Sequence, residues 1–244
     1  AAEDTRKTLK LLRHYGIKAK TISYNEQGNS SKVKTILKAL MTGDVALVSD
    51  AGMPNISDPG YSLIQAAMKE SVQVVPIPGP SAVTTALAVS GLPTEPFKFI
   101  GFIPKKTGDR RRSLIANARL DATLVAFEAP HRLQKSLLDI LSILGDRSIA
   151  ICRELTKKHE EIFVGSVSEA IDHFQQPRGE ITIVIKSDTE NPNQILTENK
   201  ETELILEKTH GKKARDAVTE IAAITNISRK EAYRIWLKHK NDDK

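Results

Sequence analysis

The sequence predicts an α/β protein: two α/β domains, the first with a parallel sheet and the second with a mixed one, followed by a small C-terminal helical module. Three observations carry this prediction. Over residues 1–91 short apolar runs alternate with helical patterns, the order that gives parallel strands with helices on both faces. Two apolar runs at 148–152 and 161–164 leave no room for a helix between them, so they pair as a hairpin and make the second sheet mixed. The polar, breaker-rich stretch Ser-Asp-Thr-Glu-Asn-Pro-Asn (187–193) then separates both from a basic segment of helical period.

Each element has a local reason. Residues 4–15 read as a helix with Gly16 just past its end. Residues 19–23 are a short strand. Ser30 or Ser31 caps a helix that runs to Thr42, with Gly43 behind it. Val-Ala-Leu-Val (45–48) is a buried strand, and a long loop at 49–58 leads to a helix over 59–70 with Asp58 as N-cap and Pro59 at its first position. Residues 72–77 form the next strand. Pro-Gly-Pro-Ser-Ala (78–82) is a tight turn into an Ala/Val/Leu helix ending near Gly91. Gly-Leu-Pro-Thr-Glu-Pro (91–96) is a hinge, which sets the first domain at 1–92 and the second at 93–187.

In the second domain strands are expected at 98–102, 123–127, 148–152, 161–164 and 181–186, and helices near 109–119, 131–144 and 167–174. Beyond the linker, Ala214, Ala217, Val218, Ile221 and Ile224 recur with helical period. After the turn Asn-Ile-Ser (226–228), Ser228 to Glu231 has capping-box form and opens a second helix containing Tyr233, Ile235, Trp236 and Leu237. The pair has the form of a helix-turn-helix and sets a module at 200–240.

Composition narrows the function. The chain has 244 residues, 40% hydrophobic and 27% charged, ordinary values for a globular protein. No apolar run approaches the roughly 20 residues that span a bilayer, so no membrane partner is expected. Cys152 is the single cysteine; it lies in an apolar run, excludes an internal disulfide and fits a reducing cytoplasm. The histidines show no ligand spacing, so no metal is expected. The net charge is +6, and residues 210–240 hold eight Lys/Arg against three Asp/Glu, so almost all of the excess sits there. A basic segment on a near-neutral body suggests a polyanion, and with the helical motif it suggests nucleic acid held through phosphates by Lys212, Lys213, Arg229 and Lys230, among others. A stabilising helical hairpin is the alternative.

The loops after consecutive strands, 49–58 and 78–82, should lie side by side at one sheet edge, where open α/β sheets bind ligands. Loop 49–58 is longer than most strand–helix connections, which run about two to six residues. Neither loop is a dinucleotide fingerprint or a P-loop.

Six segments occur in order: Ala-Glu-Asp-Thr-Arg (2–6), Ser-Asp-Ala-Gly-Met-Pro-Asn-Ile-Ser-Asp-Pro-Gly (49–60), Pro-Ile-Pro-Gly-Pro-Ser-Ala (76–82), Phe-Ile-Gly-Phe-Ile-Pro (99–104), Glu-Ala-Pro-His-Arg (128–132) and Arg-Glu-Leu-Thr-Lys (153–157). Together they resemble the ribosomal RNA small subunit methyltransferase I family, within the tetrapyrrole methylase superfamily of S-adenosylmethionine-dependent enzymes. The resemblance covers residues 2–186. It implies two α/β domains of the tetrapyrrole methylase type with S-adenosyl-L-methionine in the cleft between them, commonly in a homodimer, and 2′-O-methylation of a cytidine in small-subunit (16S) rRNA of the 30S subunit. Family chains normally begin upstream with a further strand and loop, so the first domain is read as truncated at its start.

By motif, the resemblance puts Ser49, Asp50, Ala51, Gly52 and Ile56 on the cofactor, with Gly79, Ser81 and Ala82 from the second turn and Phe127 from a second-domain strand end. Methyl transfer to a hydroxyl needs in-line geometry and eventual loss of a proton. Glu128, His131 and Glu154 are the candidates to take it; Glu128 can instead pair with Arg132 or Arg153, and His131 can instead bind phosphate. Arg110, Arg111 and Arg112, after Lys-Lys-Thr-Gly-Asp (105–109), are candidates for RNA phosphates, as is Arg132. A small-molecule tetrapyrrole methyltransferase and a non-catalytic RNA-binding fragment are the alternatives.

Overall fold

The computed structural model describes residues 1–25, 30–118, 120–187 and 214–225, together with Tyr233, Arg234, Trp236 and Leu237. They divide into two compact units, Ala1–Thr85 and Ala86–Lys244.

In the first unit the opening residues form the middle of a three-segment parallel array. The Ala2 N–H donates to the Ile22 carbonyl at 2.9 Å, and the Tyr24 N–H donates to the Ala2 carbonyl at 2.8 Å. On the other side the Val48 N–H donates to the Ala1 carbonyl at 2.9 Å, and the Glu3 N–H donates to the Val48 carbonyl at 3.2 Å. Both bridges, Ala2 to Ser23 and Ala2 to Val48, are parallel. The parallel order matches the sequence reading, but the expected strands at 19–23 and 45–48 are reduced to single bridges. After the bridge at Ala2, Asp4 turns the chain into helix α1 (Thr5–His14), its carboxylate accepting the Arg6 N–H at 2.8 Å.

The expected strand at 72–77 is corrected outright. It joins no ladder among the described residues, and Val74, Val75 and Ile77 are exposed. Strand propensity describes a fit to a paired, half-covered surface, and without a partner it creates no strand.

Helices α2 (Ser30–Leu40), α3 (Tyr61–Lys69) and α4 (Ala82–Val89) complete this region. A small core gathers Tyr24, Ile36 and Leu63, with Ile22, Val33 and Leu47 packed against it. The fully buried Tyr24 hydroxyl accepts the Leu63 N–H at 3.2 Å, which satisfies one of the amides that α3 leaves without an intrahelical partner.

The second unit is a five-stranded mixed sheet in the order β1-β2-β5-β3-β4. The strands are β1 (Phe97–Phe102), β2 (Thr123–Glu128), β3 (Ser148–Arg153), β4 (Glu161–Ser166) and β5 (Ile181–Ile185). β1 and β2 run parallel; β2–β5, β5–β3 and β3–β4 are antiparallel. The hairpin expected from the short spacing is the β3–β4 pair, in register from Ser148–Ser166 to Arg153–Glu161. Central β5 is buried throughout, whereas edge strand β4 alternates, as a sheet margin should.

Helices α5 (Thr107–Asn117), α6 (Leu133–Leu144) and α7 (Val167–His173) accompany the sheet. Leu133, Leu137, Ile140 and Leu144 recur at spacings of three and four and bury one face of α6 in the core with Ile149, Ile151 and Ile183. Ser166 and Glu169 close a capping box at the start of α7.

An internal ion pair ties α5 to α6. Arg110 Nε donates to Asp139 Oδ2 at 2.6 Å, and the Arg110 side chain is only 5% exposed. Its other nitrogens reach the Lys105 carbonyl at 3.3 Å and Thr107 Oγ1 at 3.4 Å. Arg111 lies 3.9 Å from the same aspartate, and only Arg112 is exposed, paired with Asp109. The three arginines therefore do not face outward as one basic patch. Consecutive helical residues point about 100° apart, so a triplet cannot share a face.

Further along the chain, α8 (Ala214–Thr225) keeps Ala217 and Val218 buried and Arg215 exposed. Tyr233 and Trp236 stack with ring centroids 6.1 Å apart. Lys212, Lys213, Arg229 and Lys230 lie outside the described residues. No described helix is long and apolar enough to cross a membrane.

Two outcomes follow. Asp139→Ala strands a buried guanidinium, so denaturant titration should show a loss of about 3–5 kcal/mol. Cys152 is buried between Thr182 and Ile162. Burial, helped by the Glu160 charge, pushes its thiol up to about 11. Alkylation of the native protein at pH 8 should be slower than in denaturant by about 100-fold or more.

Candidate functional site

The first unit builds its loop from the residues that forbid regular structure. Between Ser49 and the start of α3 the chain contains Asn55 at φ 72° and Ser57 at φ 61°, both in the left-handed region that costs a non-glycine residue energy. Helix α3 begins at Tyr61 with Gly60 as N-cap and no side-chain cap, so Asp58 and Pro59 stand outside the helix, contrary to the expected start at 59. The reason is a close fold-back: a Cβ at Gly60 would lie 2.9 Å from the Asn55 Cβ, so only glycine lets the loop close there before the helix starts.

A reciprocal clasp holds this loop to the opening segment. The Asp50 N–H donates to Glu3 Oε2 at 3.0 Å, and the Asp4 N–H donates to Asp50 Oδ1 at 3.2 Å. Lys7 Nζ donates to Asp50 Oδ2 at 2.6 Å, and this contact raises the Lys7 pKa above its ordinary value. The Asp50 carboxylate thus joins two motifs far apart in sequence. Beside it, Ser49 Oγ donates to the Ala51 carbonyl at 3.2 Å.

The two loops expected side by side do meet. Gly52 has φ 70°, and a Cβ on it would lie 4.0 Å from the Pro80 carbonyl oxygen. Gly79 and Ser81 flank that carbonyl, Ala82 opens α4, and the Ser81 carbonyl accepts the Thr85 N–H at 3.0 Å. Ile56 is exposed on the same long loop. Ser49, Asp50, Ala51, Gly52, Gly79, Ser81 and Ala82 therefore come from neighbouring turns of one unit.

A largely polar cavity of about 610 Å³ opens in this unit, lined by Glu3, Asn25, Asn55, Ser57, Asp58, Pro59 and Tyr61. Sequence reasoning did not assign any of them to a site. The signal was present: all but Asn25 and Tyr61 fall inside the quoted motifs at 2–6 and 49–60, and Tyr61 follows directly. What the sequence could not supply was their convergence.

In the second unit, Glu128 is 2% exposed at the end of β2. Its Oε1 accepts the Ala129 N–H at 2.7 Å and pairs with Arg132 at 2.5 Å, while its Oε2 accepts the Ser136 hydroxyl. Arg132 also donates to the Ile103 carbonyl at 3.2 Å. Of the two partners expected for Glu128, the structure selects Arg132. That ion pair locks the turn Pro130–Arg132 and the start of α6 against the sheet. His131, on the same turn, stays exposed. Phe127 is half-buried, with its ring centroid 5.0 Å from Phe99 and 5.4 Å from Phe102.

Glu154 has φ 51° and anchors the β3–β4 connection. Its Oε1 accepts the Glu180 N–H at 2.8 Å and Lys157 Nζ at 2.9 Å, and the Lys157 contact followed by the Glu180 bond holds its carboxyl below the ordinary range. Gly179 makes room: at φ +90°, a Cβ there would lie 2.4 Å from the Glu154 Cγ. Nearby, Arg153 and His173 both contact Glu161, at 2.6 and 2.8 Å.

Comparison with known proteins identifies the family. Residues 1–171 match the family described as Tetrapyrrole (Corrin/Porphyrin) Methylases. A protein named Ribosomal RNA small subunit methyltransferase I from Halalkalibacterium halodurans is 41% identical over 97% of this chain and 84% of its own length. One of the same name from Thermotoga maritima is 50% identical over 75% of this chain and 84% of its own length. A crystal structure of diphthine synthase shares the fold, with a TM-score of 0.58 and 13% identity over 73% of each chain. The match spans both loops of the first unit and most of the sheet of the second, and the chain belongs to the tetrapyrrole methylase family.

Proposed function

We propose that this protein transfers a methyl group from S-adenosyl-L-methionine to the ribose 2′-hydroxyl of a cytidine in small-subunit ribosomal RNA. One observation carries the reading: 41% identity to a ribosomal RNA small subunit methyltransferase I over 97% of the chain, a span that includes both adjoining loops. The reading includes action in the cytoplasm on the 30S subunit and assembly as a homodimer, as the family resemblance implies.

The residues present fit the cofactor. A Cβ on Gly52 would lie 4.0 Å from the Pro80 carbonyl oxygen, so the two turns stand close enough for one bound molecule to touch both. Ser49, Ala51, Gly52, Ile56, Gly79, Ser81 and Ala82 would hold it; Asp50 would act through the clasp that sets the loop's position. When bound, the cofactor supplies an electrophilic methyl group on a sulfonium.

The chain's own contribution is chiefly positioning. Glu128 is sealed into its ion pair with Arg132, and Glu154 is held as a carboxylate by Lys157 and the Glu180 amide. The lowered pKa of Glu154 makes it a poor proton acceptor near neutrality, and the Glu128 carboxylate is enclosed by Arg132, Ser136 and the Ala129 amide, so neither is assigned as the base. His131, exposed on its turn, is the remaining candidate to receive the hydroxyl proton or to contact a phosphate. For the RNA backbone, Lys105, Lys106 and Arg112 are exposed whereas Arg110 is buried, so phosphate contact is assigned to the former.

Incubation with tritiated cofactor and isolated 30S subunits, naked rRNA and a tetrapyrrole tests the reading. Label should enter the 30S rRNA as 2′-O-methylcytidine; label in the tetrapyrrole alone, or in none, would contradict it. Glu154→Gln should leave methyl transfer within about three-fold of the parent, since a base would contribute about 100-fold or more. Its melting temperature should fall. The Glu154 pKa is lowered in the folded state, so its contribution is present above the unfolded value of about 4.3 and is lost as pH falls through the folded value. The difference in melting temperature between parent and variant should therefore shrink below about pH 4.

A further inference from the structure

We infer that the polar cavity of the first unit is the subsite for the flipped-out base of the acceptor nucleotide, and that Asp58 and Asn55 read cytosine there. The inference rests on the proposed cytidine methyltransferase activity and adds where and how the base is recognised.

The cavity, about 610 Å³, falls in the roughly 300–1,000 Å³ range of small-molecule sites. Its lining is specific in chemistry. Asp58 and Glu3 bring carboxylates, Asn25 and Asn55 bring amides, Ser57 brings a hydroxyl and Tyr61 brings a ring, with Pro59 beside it, and among the described residues no Lys or Arg contributes. A phosphate would be repelled by the two carboxylates. A base edge suits it. Cytosine offers an exocyclic amine beside two acceptors, the ring N3 and the O2 carbonyl; a carboxylate accepts from the amine, and a side-chain amide donates to the acceptors. Uracil turns a carbonyl toward the same carboxylate, and the contact becomes repulsive. Tyr61 is 58% exposed, and its hydroxyl accepts the Gln65 Nε2 donor at 2.7 Å, which fixes a ring on which a base can stack.

The cavity is also set apart from the turns assigned to the cofactor. Its lining shares no residue with Ser49 to Gly52 or Gly79 to Ala82, yet Glu3 reaches the Asp50 amide at 3.0 Å. The acceptor base and the cofactor loop are thus linked by one hydrogen bond. The left-handed Asn55 and Ser57 hold their side chains on the lining at a cost in backbone energy.

The test compares 30S subunits carrying the natural acceptor cytidine with reconstituted subunits carrying uridine at that position. Asp58→Asn should lower kcat/KM on the cytidine substrate by about 10- to 100-fold and bring the cytidine-to-uridine ratio toward one, the size of a lost base contact. Affinity for S-adenosyl-L-methionine, titrated without RNA, should stay within about two-fold of the parent. Asn55→Gly relieves the left-handed strain, so it should fold at least as stably while also losing turnover on cytidine. An unchanged cytidine-to-uridine ratio in both variants overturns the inference, as does a parallel loss of cofactor affinity, which would give the cavity to the cofactor. A parent protein that methylates neither substrate would overturn the methyltransferase reading itself, and the subsite with it.

Discussion

The site depends on one short set of hydrogen bonds, the clasp between Asp50 and the segment Glu3–Asp4–Lys7. The first unit has no long strand ladder among its described residues to hold its loops. The three parallel segments pair around Ala2, through two isolated bridges. Beyond that point the register of loop 49–60 against the opening segment is set by the Glu3 carboxylate on the Asp50 amide and the Asp50 carboxylate on the Asp4 amide. Each carboxylate takes a backbone N–H of the other segment, so a shift of either breaks both bonds. Charge-assisted bonds of this kind are directional, and a pair of them fixes position in a way that apolar contact does not.

The second unit solves the same problem by burial. Its sheet is covered by α5, α6 and α7, and its charged motif residues are turned inward as fasteners. Arg110 joins α5 to Asp139 on α6, and Glu128 joins the end of β2 to Arg132 and Ser136. Glu154 pins the β3–β4 connection to Gly179 and Glu180. Each combines residue types that sequence patterns associate with chemistry, and each is used for structure. Removing one partner from such a pair leaves an uncompensated charge, so each of these pairs contributes to the stability of the unit.

The sequence carried more of the second unit than of the first. Its strands follow apolar runs bounded by breakers, and the hairpin followed from spacing alone. Helix α6 announced itself by period, and Cys152 by its apolar neighbours. The first unit was harder because its pairing is marginal: residues 72–77 have the composition of a strand, but a strand needs a partner that composition cannot supply. The start of α3 was misplaced because Asp58 and Pro59 form a good capping pair locally, whereas the fold-back at Asn55 and Gly60 is a tertiary contact. The loops at 49–60 and 78–82 were readable as neighbours because both follow apolar runs in one α/β order. The partner of Glu128 was among the expected ones because Arg132 lies one helical turn away. The inward turn of Arg110 was not readable, since its partner Asp139 lies on another helix. The cavity lining was not readable either, since it draws on segments around residues 3, 25 and 55–61 that only folding brings together.

The clasp ties these levels together: it carries local hydrogen bonding into loop position, and loop position into ligand binding. The most direct measurement is calorimetric titration of S-adenosyl-L-methionine into the parent protein and into Asp50→Ala, with circular dichroism confirming that the variant is folded. Loss of the carboxylate releases the Asp4 amide and Lys7 and frees the loop, so affinity should fall by about ten-fold or more. A folded variant that binds the cofactor as tightly as the parent would contradict the account, because the loop would then hold its position without the interaction said to set it.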